Sequence, residues 1–151
     1  MRINGKITEI ERYLSELEDI LPGNFEEYEK DFTKKAACER YFERIVEAII
    51  DVAFLMIKKN KYKIPEEDKA AFDVLSEENI ISIELAEKLK DAKGMRNIIA
   101  HEYGRIDDSI VFESITKELI KDTDEFLKAI KNKRILFLFS SYNQYDADYA
   151  D

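Results

Sequence analysis

The sequence predicts an all-α protein, an antiparallel helical bundle of four to five main helices. Turn residues are scarce, with four glycines and two prolines among 151 residues, and they punctuate long uninterrupted runs. Lys, Glu, Leu, Ile and Ala dominate the composition. Apolar side chains recur at steps of three and four along most of the chain. With 45% apolar residues the chain can close one hydrophobic core, and its length suits one domain rather than two.

Ile3, Ile7, Ile10, Leu14, Leu17 and Leu21 alternate steps of four and three, a heptad seam on a first helix closed by Pro22 and Gly23. Asn24 suits the cap of a short helix through Phe25, Glu26, Glu27 and Tyr28, and Asp31 or Thr33 can start the next element. No Gly or Pro interrupts Lys34 to Asn60, enough for about 40 Å of helix. Around Ile49 to Ile57 this run is apolar on nearly every side, which predicts a central helix with neighbours all round. Pro65 suits the first turn of a short helix through Phe72, Val74 and Leu75. Ser82 can cap a helix carrying Leu85, Leu89, Ala92, Ile99 and Tyr103 on one stripe, with Gly104 as its stop. Asp107, Asp108 or Ser109 opens the last long helix, whose stripe is Phe112, Ile115, Leu119, Thr123, Phe126 and Ile130. Lys131, Lys133 and Arg134 then suit the negative end of its dipole.

These elements define a helical domain over residues 1–134 and a distinct segment over residues 135–151. That segment opens with the apolar run Ile135 to Phe139, expected to dock on the bundle or on a second subunit. It ends in a Tyr- and Asp-rich arm, expected to be mobile, that carries three of the nine net negative charges.

The composition limits the chemistry. Cys38 is the only cysteine and falls in an apolar-periodic run, as a buried inert thiol would. No signal peptide is visible at the start, and no apolar run reaches the roughly 20 residues of a membrane span, so a cytoplasmic protein with no membrane partner is expected. A net charge of −9 disfavours long-range attraction to nucleic acid. Locally, however, Lys88, Lys90, Lys93, Arg96 and Arg105 outnumber Asp91 and Glu102, and Lys58, Lys59, Lys61 and Lys63 form a second basic run. Positive regions on an acidic body suit a small phosphate-bearing target or an RNA held over few nucleotides; solvated helix faces would look the same.

The most informative stretch is Arg96-Asn97-Ile98-Ile99-Ala100-His101-Glu102-Tyr103, which contains the only histidine. One imidazole rules out zinc sites built from several histidines and His-x-x-x-His metalloprotease helices. Arg96 continues the apolar stripe of Leu85, Leu89 and Ala92, where a bundle would ordinarily place leucine. An unpaired buried guanidinium costs several kcal/mol, so the position implies a partly open cleft or one that receives an anion. RNA cleavage by the ribose 2′-hydroxyl needs a base, an acid and a fixed cation; imidazole can take either proton role and guanidinium matches phosphate oxygens. Tyrosine can position a phosphate or stack on a base. On an ideal helix His101 points about 140° away from Arg96, so the pair converges only through a distortion near Gly104 or a cleft shared between subunits. A capping histidine, a surface arginine and a core tyrosine remain a sufficient structural account of the same residues.

This Arg-x4-His-x-Tyr pattern, read here as RNIIAHEY and followed by Gly104, resembles the hallmark of the HepT-like family within the HEPN group of small helical proteins. Upstream, Ala36 to Tyr41 and Val46-Glu47-Ala48-Ile49-Ile50-Asp51-Val52-Ala53 resemble the family's central helix with its Glu-Ala-x-x-Asp element. The likeness covers most of residues 1–134 and leaves the tail outside. It implies a homodimer with both motifs facing a shared cleft, acting as the toxin of a toxin–antitoxin pair, a metal-independent endoribonuclease without a cofactor. Arg96 and His101 become the catalytic pair, with Lys93, Asn97 and Arg105 supporting the RNA phosphates. The implied partner is an MntA-type minimal nucleotidyltransferase antitoxin that blocks the cleft by transferring AMP to Tyr103. The alternative is a non-catalytic module that holds a nucleotide or docks the nucleotidyltransferase.

Overall fold

The computed structural model describes residues 2–101 and 106–149; Met1, Glu102, Tyr103, Gly104, Arg105, Ala150 and Asp151 lie outside the described residues. Within the described residues the chain is a bundle of helices with no strand. In chain order these are α1 (Arg2–Ile20), α2 (Phe25–Lys30), α3 (Phe32–Lys59), α4 (Asp68–Glu77), α5 (Ile83–His101), α6 (Asp108–Glu113) and α7 (Ile120–Tyr149). A π-helical segment, Ser114–Leu119, joins the last two.

The helix starts follow the capping chemistry. Asn24 Oδ1 accepts from the Glu27 amide at 2.9 Å and Asp31 Oδ1 from the Lys34 amide at 3.0 Å, each satisfying an amide that has no intrahelical partner. Ser82 Oγ accepts from the Leu85 amide at 3.0 Å, and Asp107 Oδ1 from the Ser109 amide at 2.9 Å. Asp31 and Asp107 are thus the caps among the candidates. Pro65 differs from expectation: α4 begins at Asp68, three residues beyond it, with Glu67 as an N-cap whose side chain makes no capping bond. The proposed stop at Gly104 lies outside the described residues.

The 28-residue α3 is the axis of the fold. It packs against α1, α2, α4 and α5, and Phe42, Ile45, Ile49, Val52, Met56 and Ile57 are fully or almost fully buried among them. Ile3, Ile7, Ile10 and Leu17 of the α1 seam are buried, and Tyr41 Oη donates to Glu16 at 2.7 Å across the α1–α3 contact. Cys38 is fully buried, and that burial pushes its thiol up to about 11, well away from thiolate reactivity at neutral pH. Phe72 of α4 meets Phe126 of α7 edge to face, with ring centroids 6.5 Å apart, which joins the short helix to the last one. No described helix is long and apolar enough to cross a membrane.

The π segment has a readable cause. Val111, Ile115, Leu119 and Thr123 are buried at successive steps of four, which drift around an ordinary α-helix. A wider turn keeps all four on the core side. Beyond it, α7 stays helical through Tyr149, whereas the chemistry of the last basic residues suggested an end near Arg134. Lys131 pairs with Glu11 at 3.2 Å and Arg134 Nη1 donates to Asn4 Oδ1, so α7 rests on α1 up to that point. Ile135, Leu136, Leu138 and Phe139 do not dock on this chain's own bundle; all four are exposed.

Truncating Phe126, which is fully buried, to alanine is expected to cost about 3–5 kcal/mol in urea unfolding. Asp122 is 6% exposed, and burial pushes its carboxyl above the usual range, with the Lys88 ammonium offsetting only part of that shift. A raised folded-state pKa favours the fold below about pH 4 and loses that contribution as pH rises through it. Asp122→Asn should therefore raise Tm at pH 7, with the gain shrinking as pH falls through the raised pKa and gone by about pH 4.

Candidate functional site

Where the start of α1, the middle of α3 and the end of α5 come together, a cleft of about 560 Å³ opens to solvent. Its α3 wall is one helical stripe, Glu47, Asp51, Phe54, Leu55 and Lys58, at steps of three and four. Lys93 and Arg96, three residues apart on α5, form the opposite wall; Arg2 and Lys6, four apart on α1, close one side. Asp68 stands at the start of α4.

Arg96 governs the electrostatics. Its side chain is only 20% exposed, on the stripe that buries Leu85, Leu89 and Ile99. Its Nη2 donates to Glu47 Oε1 at 2.5 Å and its Nη1 to Asn97 Oδ1 at 3.3 Å, while Nε is buried without a partner. The expected cleft is present, and a carboxylate from the central helix compensates the guanidinium. Asp51, one turn after Glu47, binds Lys6 at 3.2 Å; with Glu9 this holds the Lys6 ammonium above its usual pKa, Asp51 contributing most. Lys93 reaches Asp68 at 3.4 Å. Arg2 and Lys58 bring further positive charge with no ion-pair partner among the described residues. Five cations thus face three carboxylates in a chain of net charge −9.

The sequence candidates are distributed unevenly. Arg96 and Lys93 line the cleft, and Asn97 touches it only through Arg96. His101, the last residue of α5, is exposed and does not line it. Tyr103 and Arg105 lie outside the described residues. The basic run on α5 is divided: Lys88 lines a separate groove beside Asp122, and Lys90 pairs with Asp73 of α4 at 2.9 Å without lining the cleft. Of the second run, Lys58 joins the cleft while Lys61 and Lys63 do not. Arg2 and Lys6 were missed, because two cations four residues apart on a solvated helix face carry no signal of what they approach. Glu47 and Asp51 entered the sequence reading only as the Glu-Ala-x-x-Asp element of the family likeness, though two carboxylates four apart in a mostly buried run are themselves a signal. Among the described residues, no three His, Cys, Asp or Glu side chains are grouped to hold a metal ion.

The Arg96–Glu47 contact predicts a measurable coupling. Glu47 is 44% exposed, so solvent screens the pair, and a double-mutant cycle of Arg96→Ala and Glu47→Ala should give roughly 1 kcal/mol in urea unfolding. A coupling near zero would mean that Glu47 does not hold the guanidinium in solution.

Comparison with known proteins converges on one family. The sequence profile described as "Ribonuclease HepT-like" matches residues 10–130. An "mRNA nuclease HepT" of Shewanella oneidensis is 29% identical over 129 residues, spanning 85% of this chain and 96% of that protein. A "tRNA nuclease HepT" of Aphanizomenon flos-aquae is 30% identical over 114 residues, 76% of this chain and 78% of that one. Among solved structures, a tri-AMPylated Shewanella oneidensis HEPN toxin in complex with an MNT antitoxin superimposes with a TM-score of 0.80 at 28% identity, covering 86% of this chain and 96% of the other. An all-helical bundle, an arginine in a cationic cleft and a profile match over most of the chain agree: this protein belongs to the ribonuclease HepT-like family.

Proposed function

We propose that this chain is the toxin of a toxin–antitoxin pair, acting in the cytoplasm as a metal-independent endoribonuclease with Arg96 and His101 as its catalytic groups. The observation that carries this reading is Arg96, a guanidinium on an otherwise apolar helix stripe that lines a positively charged cleft in an acidic protein. Such a group fits a phosphodiester, and the nuclease names of the relatives supply the substrate class.

In this mechanism the ribose 2′-oxygen attacks the adjacent phosphorus while a base removes its proton. The bond to the 5′-oxygen breaks as an acid protonates it, leaving a 2′,3′-cyclic phosphate and a 5′-hydroxyl. Arg96 stabilises the charge that builds on the equatorial phosphate oxygens. Lys93, Asn97 and Arg105 support the flanking phosphates. The two catalytic groups lie about 140° apart around α5, so one chain does not aim both at one phosphate. A homodimer with its α5 helices facing across a two-fold axis resolves this: His101 from each copy meets Arg96 of the other, and two imidazoles become available for the two proton transfers.

Control follows from the same charge. Transfer of AMP to Tyr103 by an MntA-type nucleotidyltransferase adds an anion seven residues along the chain from Arg96, where it competes with an RNA phosphate. A second reading, a non-catalytic module that binds nucleotide or the nucleotidyltransferase, is favoured by the carboxylate of Glu47 already resting on Arg96.

Incubating the purified chain with RNA at low salt in the presence of EDTA separates these readings. Cleavage that falls at least about 100-fold in His101→Ala, with helical content retained, is expected; undiminished cutting by that variant refutes the catalytic assignment. Binding of ATP without any cleavage selects the second reading. After co-expression with the nucleotidyltransferase, intact mass should rise by whole AMP increments, and Tyr103→Phe should abolish the rise.

A further inference from the structure

The last helix carries an apolar face that its own bundle does not cover. Ile135, Leu136, Leu138 and Phe139 are 62%, 65%, 68% and 64% exposed, just past the point where Arg134 meets Asn4. The helical backbone continues to Tyr149. Ile135, Leu138, Tyr142, Tyr145 and Tyr149 follow one another at steps of three, four, three and four, the a and d positions of a heptad. This stretch begins beyond residues 10–130, the part of the chain matched by the family profile.

Charge selects the occupant. Lys131, Lys133 and Arg134 precede the seam, and Asp146 and Asp148 fall within its last turns. At its base, Lys133 and Arg134 line a small groove together with Met56 and Asn60. A parallel copy would set acid against acid and base against base. An antiparallel copy, with the two-fold near residue 140, sets Ile135 opposite Tyr145 and Leu138 opposite Tyr142, pairing a with d positions throughout. Arg134 and Asp148 then occupy equivalent flanking g positions that face each other, and the acidic end of each helix reaches the basic groove of the other. We infer that residues 135–149 form an antiparallel two-helix interface with a second copy of this chain, separate from the α5-facing dimer of the ribonuclease reading.

Cross-linking of the full chain tests this, because the native thiol of Cys38 is buried and silent. With a short bis-maleimide, Ser141→Cys should link to its own counterpart beside the two-fold axis. Arg134→Cys alone and Asp148→Cys alone should not, whereas a mixture of those two variants should. Leu138→Glu combined with Ser141→Cys should lose the cross-link while keeping the thermal transition of the bundle. Self-linking of Asp148→Cys as strong as that of Ser141→Cys would overturn the antiparallel arrangement. No link at Ser141→Cys, or a link insensitive to Leu138→Glu, would overturn the interface altogether. So would binding to phosphatidylcholine vesicles by a chain that fails to cross-link, which would assign the apolar face to a lipid surface. None of these outcomes depends on RNA cleavage.

Discussion

The stretch 49–57 of the 28-residue α3, apolar around nearly all of its circumference, is stable in water only when other helices sheathe it. That constraint on α3 organises the molecule. Helices α1, α2, α4 and α5 are arranged around it, and the places where its surface turns polar are the places where the sheath can open. Glu47 and Asp51 are such places, and the cleft lies over them. The site is thus a gap in the packing of the central helix, walled by elements that the core already holds rigid.

Electrostatics within that gap runs opposite to the chain as a whole. At physiological salt, exposed charges beyond about 8 Å are largely screened. The overall negative charge therefore sets the long-range field, while the paired and half-buried cations of the cleft set what is felt at contact. Glu47 does two things at once. It compensates a guanidinium on a largely buried stripe, and it holds that guanidinium by one nitrogen in the wall of the cleft. Ligand oxygens entering the cleft meet an arginine whose position is already fixed, so less entropy is lost on binding.

How far the sequence could be read depends on whether a feature is local. The caps at Asn24 and Ser82 were legible, and those at Asp31 and Asp107 stood among two or three candidates each, because a cap is a contact between residues two or three apart. The central helix was legible from the stretch 49–57, apolar on nearly every side. Pro65 misled, because a fixed φ suits an extended approach to a helix as well as its first turn. The π segment was hidden in the spacing of four that the stripe of the last helix already showed, where an ideal helical period was assumed. The continuation of α7 past Arg134 was obscured by basic residues that suit a helix end and suit equally a helix that carries on.

The sequence by itself determined the helical class, the starts of the helices capped by Asn24 and Ser82, the buried thiol and the presence of an arginine where a core residue belongs. Each of these follows from contacts within a few residues or from periodicity along one helix. Only the tertiary structure decided which carboxylate meets Arg96, which lysines of two basic runs reach the cleft and that Arg2 and Lys6 join them. Those choices depend on the rotation and crossing of helices far apart in the chain, set by packing many side chains at once, which no single segment encodes.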